Sequence, residues 1–220
     1  MSPAFPIALA VFVLVIFLWS RWRRLARAEF IRSYRFPVGL LKTLEKKHPA
    51  LRLKDQQLVA SALRQFFLAY LNSGRRFVSM PSQVTDDLWH EFILYTREYQ
   101  AFCKKAFGRF MHHTPAVVLN KDRHTNTGLR RTWWYTCRAE NIDPRRPLRL
   151  PLLFAIDRKL GIADGFVYEP DCRKLRETQP GAQVHCGGDF SDSSFDGTTD
   201  GFAESEATSE SGADGCGGGD

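Results

Sequence analysis

The chain has 220 residues, with 31 Lys or Arg against 24 Asp or Glu and 44% hydrophobic residues. That content argues neither for a many-span membrane protein nor for a wholly disordered chain, and the length leaves room for one domain with a real core. Cys103, Cys137, Cys172, Cys186 and Cys216 form no Cys-x-x-Cys pair and are odd in number, so a zinc ribbon is excluded and a complete disulfide set disfavoured.

From the start of the chain, Met1 to Ser20 carries no charged side chain. Twenty helical residues reach about 30 Å, the thickness of a bilayer's hydrocarbon core. Arg21, Arg23, Arg24 and Arg27 follow directly, and Trp19 and Trp22 stand where amphipathic rings settle at headgroup level. A cleaved signal peptide has the opposite order, with basic residues before the apolar run. The expectation is a transmembrane helix over residues 1–22 and a single-pass protein of the inner or plasma membrane. Its N-terminus would be outside and its C-terminal domain cytoplasmic. Residues 23–36 then read as a basic juxtamembrane segment suited to anionic lipid headgroups.

Residues 37–177 read as helices punctuated by turns. "FPVGLLKTLEKKHPAL" starts a helix at Pro37 and ends it before Pro49. "KDQQLVASALRQFFLAYLNSG" has Leu58, Val59, Ala62, Leu63, Phe66, Phe67, Tyr70 and Leu71 at three- and four-residue spacing. Asp55 lies at its start and Gly74 at its end. A third helix begins at Ser82, its N-cap, and runs on to a stop at Gly108. Its residues Val84, Leu88, Phe92, Tyr95, Tyr99, Phe102 and Ala106 make one apolar stripe about 80° wide. Thr114-Pro115 opens a further turn. "LRRTWWYTCRAENIDP" and Leu152 to Leu160, bounded by Pro151 and Gly161, complete the helices. "GFVYEPDC" is ambiguous between strand and loop.

Residues 178–220 hold nine Asp or Glu and no Lys or Arg among Gly, Ser and Thr. Such a segment buries too little apolar area to offset its chain entropy, so a disordered acidic glycine-rich tail is expected. Its charge hides a strongly basic body. The fold class expected is all-α, a compact helical bundle after the N-terminal transmembrane helix.

The chemistry concentrates in "DDLWHEFILYTREYQAFCKKAFGRFMHH". Asp86, His90 and Arg97 fall within about 40° of one another on a helical wheel, away from the apolar stripe. Asp86 and His90 are four residues apart, so the carboxylate can meet the imidazole on the next turn. His112 and His113 follow the helix stop, where the chain can turn back toward that side. The candidate metal ligands are therefore Asp86, His90, His112 and His113, with zinc the ion suited to His and Asp donors. Three of them, Asp86, His90 and His113, would leave a coordination position for water, as in a hydrolase, with Glu91 a candidate base. Cys103 sits beside the aromatic stripe and is a weaker candidate. "HEFIL" lacks the second His of a His-Glu-x-x-His zincin. The structural alternative has Trp89 in the core, Asp86 pairing with His90, and the His doublet hydrogen-bonded to a loop.

Asp86-x-x-Trp89-His90, followed by Tyr99, Gly108 and His113, resembles the motif of the glycine-rich domain-containing proteins over about residues 55–115. That family's pattern has a second His where this chain has Phe92. If those histidines bind metal, the resemblance implies that His112 takes the missing place. The family implies a recognised helical module rather than a defined reaction. The function expected is an interaction or scaffold domain with a protein partner, and whether it is an enzyme is left open. The alternatives are a metal-dependent hydrolase and a basic membrane-surface or nucleic-acid binder, although no nucleic-acid motif occurs.

Overall fold

The computed structural model describes residues 4–113, 127–170 and 185–190. The chain's clearest amphipathic segment becomes its central helix. In chain order the helices are α1 (Ala4–Ser33), α2 (Val38–Lys47), α3 (Leu53–Asn72), α4 (Gln83–Leu94), α5 (Thr96–Ala106), α6 (Thr127–Ala139) and α7 (Leu152–Leu160). The all-α class holds. The strands among the described residues are a single two-residue parallel pair, β1 (Tyr168–Glu169) with β2 (His185–Cys186), and Gly187–Phe190 follows as a 3-10 turn.

Helix α3 touches α1, α2, α4, α6 and α7. Its residues Val59, Ala62, Leu63, Phe66, Phe67, Tyr70 and Leu71 are buried, as their spacing requires of a helix enclosed on most sides. Phe67 meets Phe102 of α5 with ring centroids 4.9 Å apart, and Phe66 meets Trp89 of α4 at 5.0 Å. Each such ring taken out of water contributes roughly 2–3 kcal/mol. At the other end of the body Trp133, Phe154, Tyr168 and Phe190 form a second aromatic knot.

Several helix boundaries fall where the punctuation puts them. Pro37 precedes α2, Pro151 precedes α7, and Gly161 ends α7 in the left-handed region at φ 63°. The unpaired N–H groups at the start of α7 are met from other elements: Leu152 donates to Glu140 at 2.6 Å and Leu153 to Gln65 of α3 at 2.9 Å. The Thr114-Pro115 turn, Cys172 and Cys216 lie outside the described residues.

Two expectations are corrected by the helices. The stretch from Ser82 to Gly108 is two helices, α4 and α5, broken at Tyr95, which takes φ −77° and ψ 63°. Arg97 therefore does not continue the helix that carries Asp86. More consequentially, among the described residues no helix is long and apolar enough to cross a membrane. The expected transmembrane anchor fails on this, and the placement in the inner or plasma membrane drawn from it falls too. Within α1 the uncharged stretch runs from Ala4 to Ser20, before Arg21, Arg23 and Arg24. Its seventeen residues reach about 25 Å, short of the roughly 30 Å of a hydrocarbon core. Downstream α1 is part of the body, with Ala28 and Ile31 buried and Phe30 against Phe102 at 5.8 Å.

The described part of the expected tail, residues 185–190, also joins the body. Phe190 is fully buried against Trp133, Phe154 and Tyr168. Gly187 passes so close to Trp133 that a Cβ there would lie 2.3 Å from the indole. The rest of that segment, residues 178–184 and 191–220, lies outside the described residues.

Candidate metal centre

The site is built on the first turn of α4. Ser82 caps the helix, accepting from the Thr85 N–H at 3.2 Å. Asp157 of α7 is buried beside it and accepts from the Ser82 hydroxyl at 2.7 Å, from the N–H groups of Gln83 (2.7 Å) and Val84 (3.2 Å), and from that of Phe166 (2.9 Å). A carboxylate here meets both the unpaired N–H groups and the positive end of the helix dipole.

The neighbours Asp86 and Asp87 then diverge. Asp87 turns inward to α2, where Lys47 Nζ is 2.5 Å and His48 Nε2 2.8 Å from its two oxygens. Burial alone would raise its carboxyl, but the hydrogen bonds and charges of Lys47 and His48 prevail and hold it below the usual carboxylate range. Asp86 faces the other way, toward two imidazoles.

One of these, His113, comes from the chain beyond α5. Gly108 ends that helix at φ 77°, a conformation only glycine adopts freely. Tyr99 then fixes the returning strand of chain: its hydroxyl donates to the Met111 carbonyl at 2.6 Å and accepts from Trp89 Nε1 at 3.2 Å. Burial pushes the phenol well above its ordinary pKa, so it stays a neutral donor. His113 thereby packs on the Trp89 ring, centroids 4.5 Å apart.

The result is a cluster of three donors. Asp86 Oδ1 lies 3.0 Å from His113 Nε2, and Asp86 Oδ2 lies 3.4 Å from His90 Nδ1. The two imidazoles have centroids 4.1 Å apart. One ligand atom from each residue lies within 4.8 Å of the others. Donors around a tetrahedral zinc stand about 3.3 Å apart, so a small inward rotation would close the set. His90 is the half-exposed member, at 51%, and is free to make it. Asp86 and His113 are mostly buried.

The fourth candidate, His112, is not brought into this cluster; its exposed ring stands against Phe110 at 4.9 Å. Glu91 is likewise outside the three. Cys103 is buried and its thiol is pushed up by desolvation, which makes it a poor ligand.

The wider surroundings were not foreseen from the sequence. Asp86 also lines a cleft of about 540 Å³, with His112, Trp89, Phe110, Arg75 and Arg109 among its walls. Arg75 adopts φ 65° straight after Gly74 at φ 76°. "SGRRF" does signal a helix end, but nothing in it announces an arginine in the left-handed region.

A family model, described as UCP032817-like, matches residues 26–190, about three quarters of the chain. The chain belongs to the UCP032817-like family. This overturns the resemblance to the glycine-rich domain-containing proteins, along with the ligand replacement inferred from it. The match to the UCP032817-like family begins inside α1, at the part that enters the core, and ends at Phe190, the last described residue. No curated protein and no solved structure matches the chain.

Proposed function

We propose that this UCP032817-like chain is a metal-binding helical domain whose ion, zinc by donor type, is held by Asp86, His90 and His113. The reading rests on the convergence of a carboxylate and an imidazole of α4 with a second imidazole from the chain beyond α5, with ligand atoms within 4.8 Å. Three protein donors leave a fourth position for water, the arrangement of catalytic rather than structural zinc sites. Asp86 borders the cleft, so that position has a route to a substrate. The reaction class that suits such a centre is hydrolysis, in which water adds its oxygen to the electrophilic centre and a proton to the leaving group.

Elemental analysis of the purified full chain after zinc loading and dialysis tests this. One equivalent of zinc is expected, with His113→Ala and His90→Ala each losing it and His112→Ala keeping it. A wild-type protein without metal, or variants that bind as well as wild type, would refute the proposal.

A second reading, an interaction module, draws on the outer half of α1. There the large apolar side chains from Ile7 to Leu25 are 48% to 65% exposed, an apolar row of the kind that marks protein contacts. That reading predicts self-association or partner capture that survives chelation and the His113→Ala change. Dependence of assembly on the ion would count against it.

A further inference from the structure

The cleft that Asp86 borders holds two guanidinium groups, of Arg75 and Arg109, that form no ion pair among the described residues. Arg75 donates through Nη1 to the Phe107 carbonyl at 3.0 Å, and Arg109 donates through Nε to the Tyr70 hydroxyl at 3.1 Å and through Nη2 to the Arg75 carbonyl. Every one of these acceptors is uncharged. Among the described residues neither guanidinium forms an ion pair, although ion pairs serve Arg32, Arg149 and Arg158 elsewhere. A guanidinium has five N–H donors, so both retain donors for a further partner. A third cation, Arg27, lies close by, and its pKa is lowered by burial and then by the charges of Arg23 and Arg75.

Backbone strain singles out the same place. At φ 65° Arg75 occupies a region that favours glycine or asparagine, and its neighbour Gly74 fits there without cost. Strained non-glycine residues that persist at the wall of a cleft mark candidate ligand contacts. The remaining walls are largely aromatic, with Trp89, Phe110, Phe77 and Phe166 facing a space the size of a small-molecule pocket. Phe77 and Phe110 are partly exposed, at 39% and 44%, so a flat group has open ring surface to meet.

We infer that the cleft binds a phosphate monoester with an aromatic group, its phosphate held by Arg75 and Arg109 and its ring among the aromatic walls. Forked N–H donors match the geometry of phosphate oxygens better than a point charge does. This inference rests on the metal reading for one feature: without an ion, the Asp86 carboxylate at the cleft wall repels the phosphate, and a bound dication reverses that. Zinc and phosphate monoester should therefore strengthen each other's binding, since coupling between two sites is reciprocal.

The test is calorimetric titration of the full chain with phenyl phosphate and with inorganic phosphate, each with and without zinc. Phenyl phosphate should bind at least tenfold more tightly than inorganic phosphate, and tighter again when zinc is present. Arg109→Gln and Arg75→Gly should each weaken phenyl phosphate at least tenfold while zinc content stays unchanged. The glycine variant also relieves the backbone, so a melting temperature at or above wild type would separate loss of a ligand contact from loss of fold. Equal affinity in both arginine variants and wild type would overturn the inference. Arginine-dependent binding in a chain that takes up no zinc would sustain the phosphate cleft and refute the metal reading instead.

Discussion

Trp89 and Tyr99 are joined by a hydrogen bond of 3.2 Å from indole nitrogen to phenol oxygen, across the break between α4 and α5. The same phenol donates onward to Met111, two residues before His113. The core of the protein thus decides where the second imidazole stands relative to Asp86.

Removing that oxygen should be felt in both stability and metal retention. Tyr99→Phe leaves the Met111 carbonyl and the Trp89 N–H unpaired in a buried setting, at a cost of about 1–3 kcal/mol. The variant should also release zinc faster than wild type in a chelator competition. Unchanged release with lowered stability would mean that the Tyr99 bridge does not position His113.

Asp157 holds the start of α4 through three donors and accepts a fourth hydrogen bond from the Phe166 N–H. Asp157→Ala strands buried N–H groups and should cost about 3 kcal/mol or more. Urea unfolding measures it, and a loss below 1 kcal/mol would show that water replaces the carboxylate.

The pairing of Lys47 with Asp87 predicts a particular pH dependence. Asp87 is held below its unfolded pKa of about 3.9. A depressed carboxyl contributes its full stability above that unfolded value and loses it as pH falls through the folded pKa. The stability gap between wild type and Lys47→Met should therefore be full at neutral pH and shrink below about pH 4. Urea midpoints from pH 3 to 7 test this; a constant gap would show that the lysine acts through packing alone.

At Gly108 the left-handed backbone sets the exit from α5. Gly108→Ala should lower stability by about 1 kcal/mol. Its Cβ would meet only the movable end of Arg27, so a much larger loss would point to a rigid contact there.

Phe190 should behave as a core residue despite its position in a polar segment. Phe190→Ala is expected to cost about 3–5 kcal/mol, and truncation after residue 184 should destabilise more than truncation after residue 190. Equal melting curves for the two truncations would exclude a structural role for β2 and the turn after it.

What could be read from the residues alone was whatever a local pattern encodes. The limits of α7 follow from Pro151 and Gly161, and the buried face of α3 from its spacing. The Asp86–His90 pair follows from a four-residue step. The break at Tyr95 had no such mark, since "LYT" contains neither proline nor glycine and the apolar stripe keeps nearly the same phase on both sides. Asp157 and Phe190 act over 75 and 57 residues of separation, on Ser82 and Trp133, and no window of sequence contains both partners. The length of the apolar start misled because it was judged apart from α1 as a whole. The helix does not end at the arginines but continues into the core.

That continuity has a mechanical consequence. Between Ile7 and Ser33 helix α1 holds no proline or glycine, the residues at which helices most readily bend. Whatever grips its outer turns must carry the rest of the molecule along as a stiff lever. Slack could arise only by unwinding the rod or by prising Ile31 and Phe30 out of their seats.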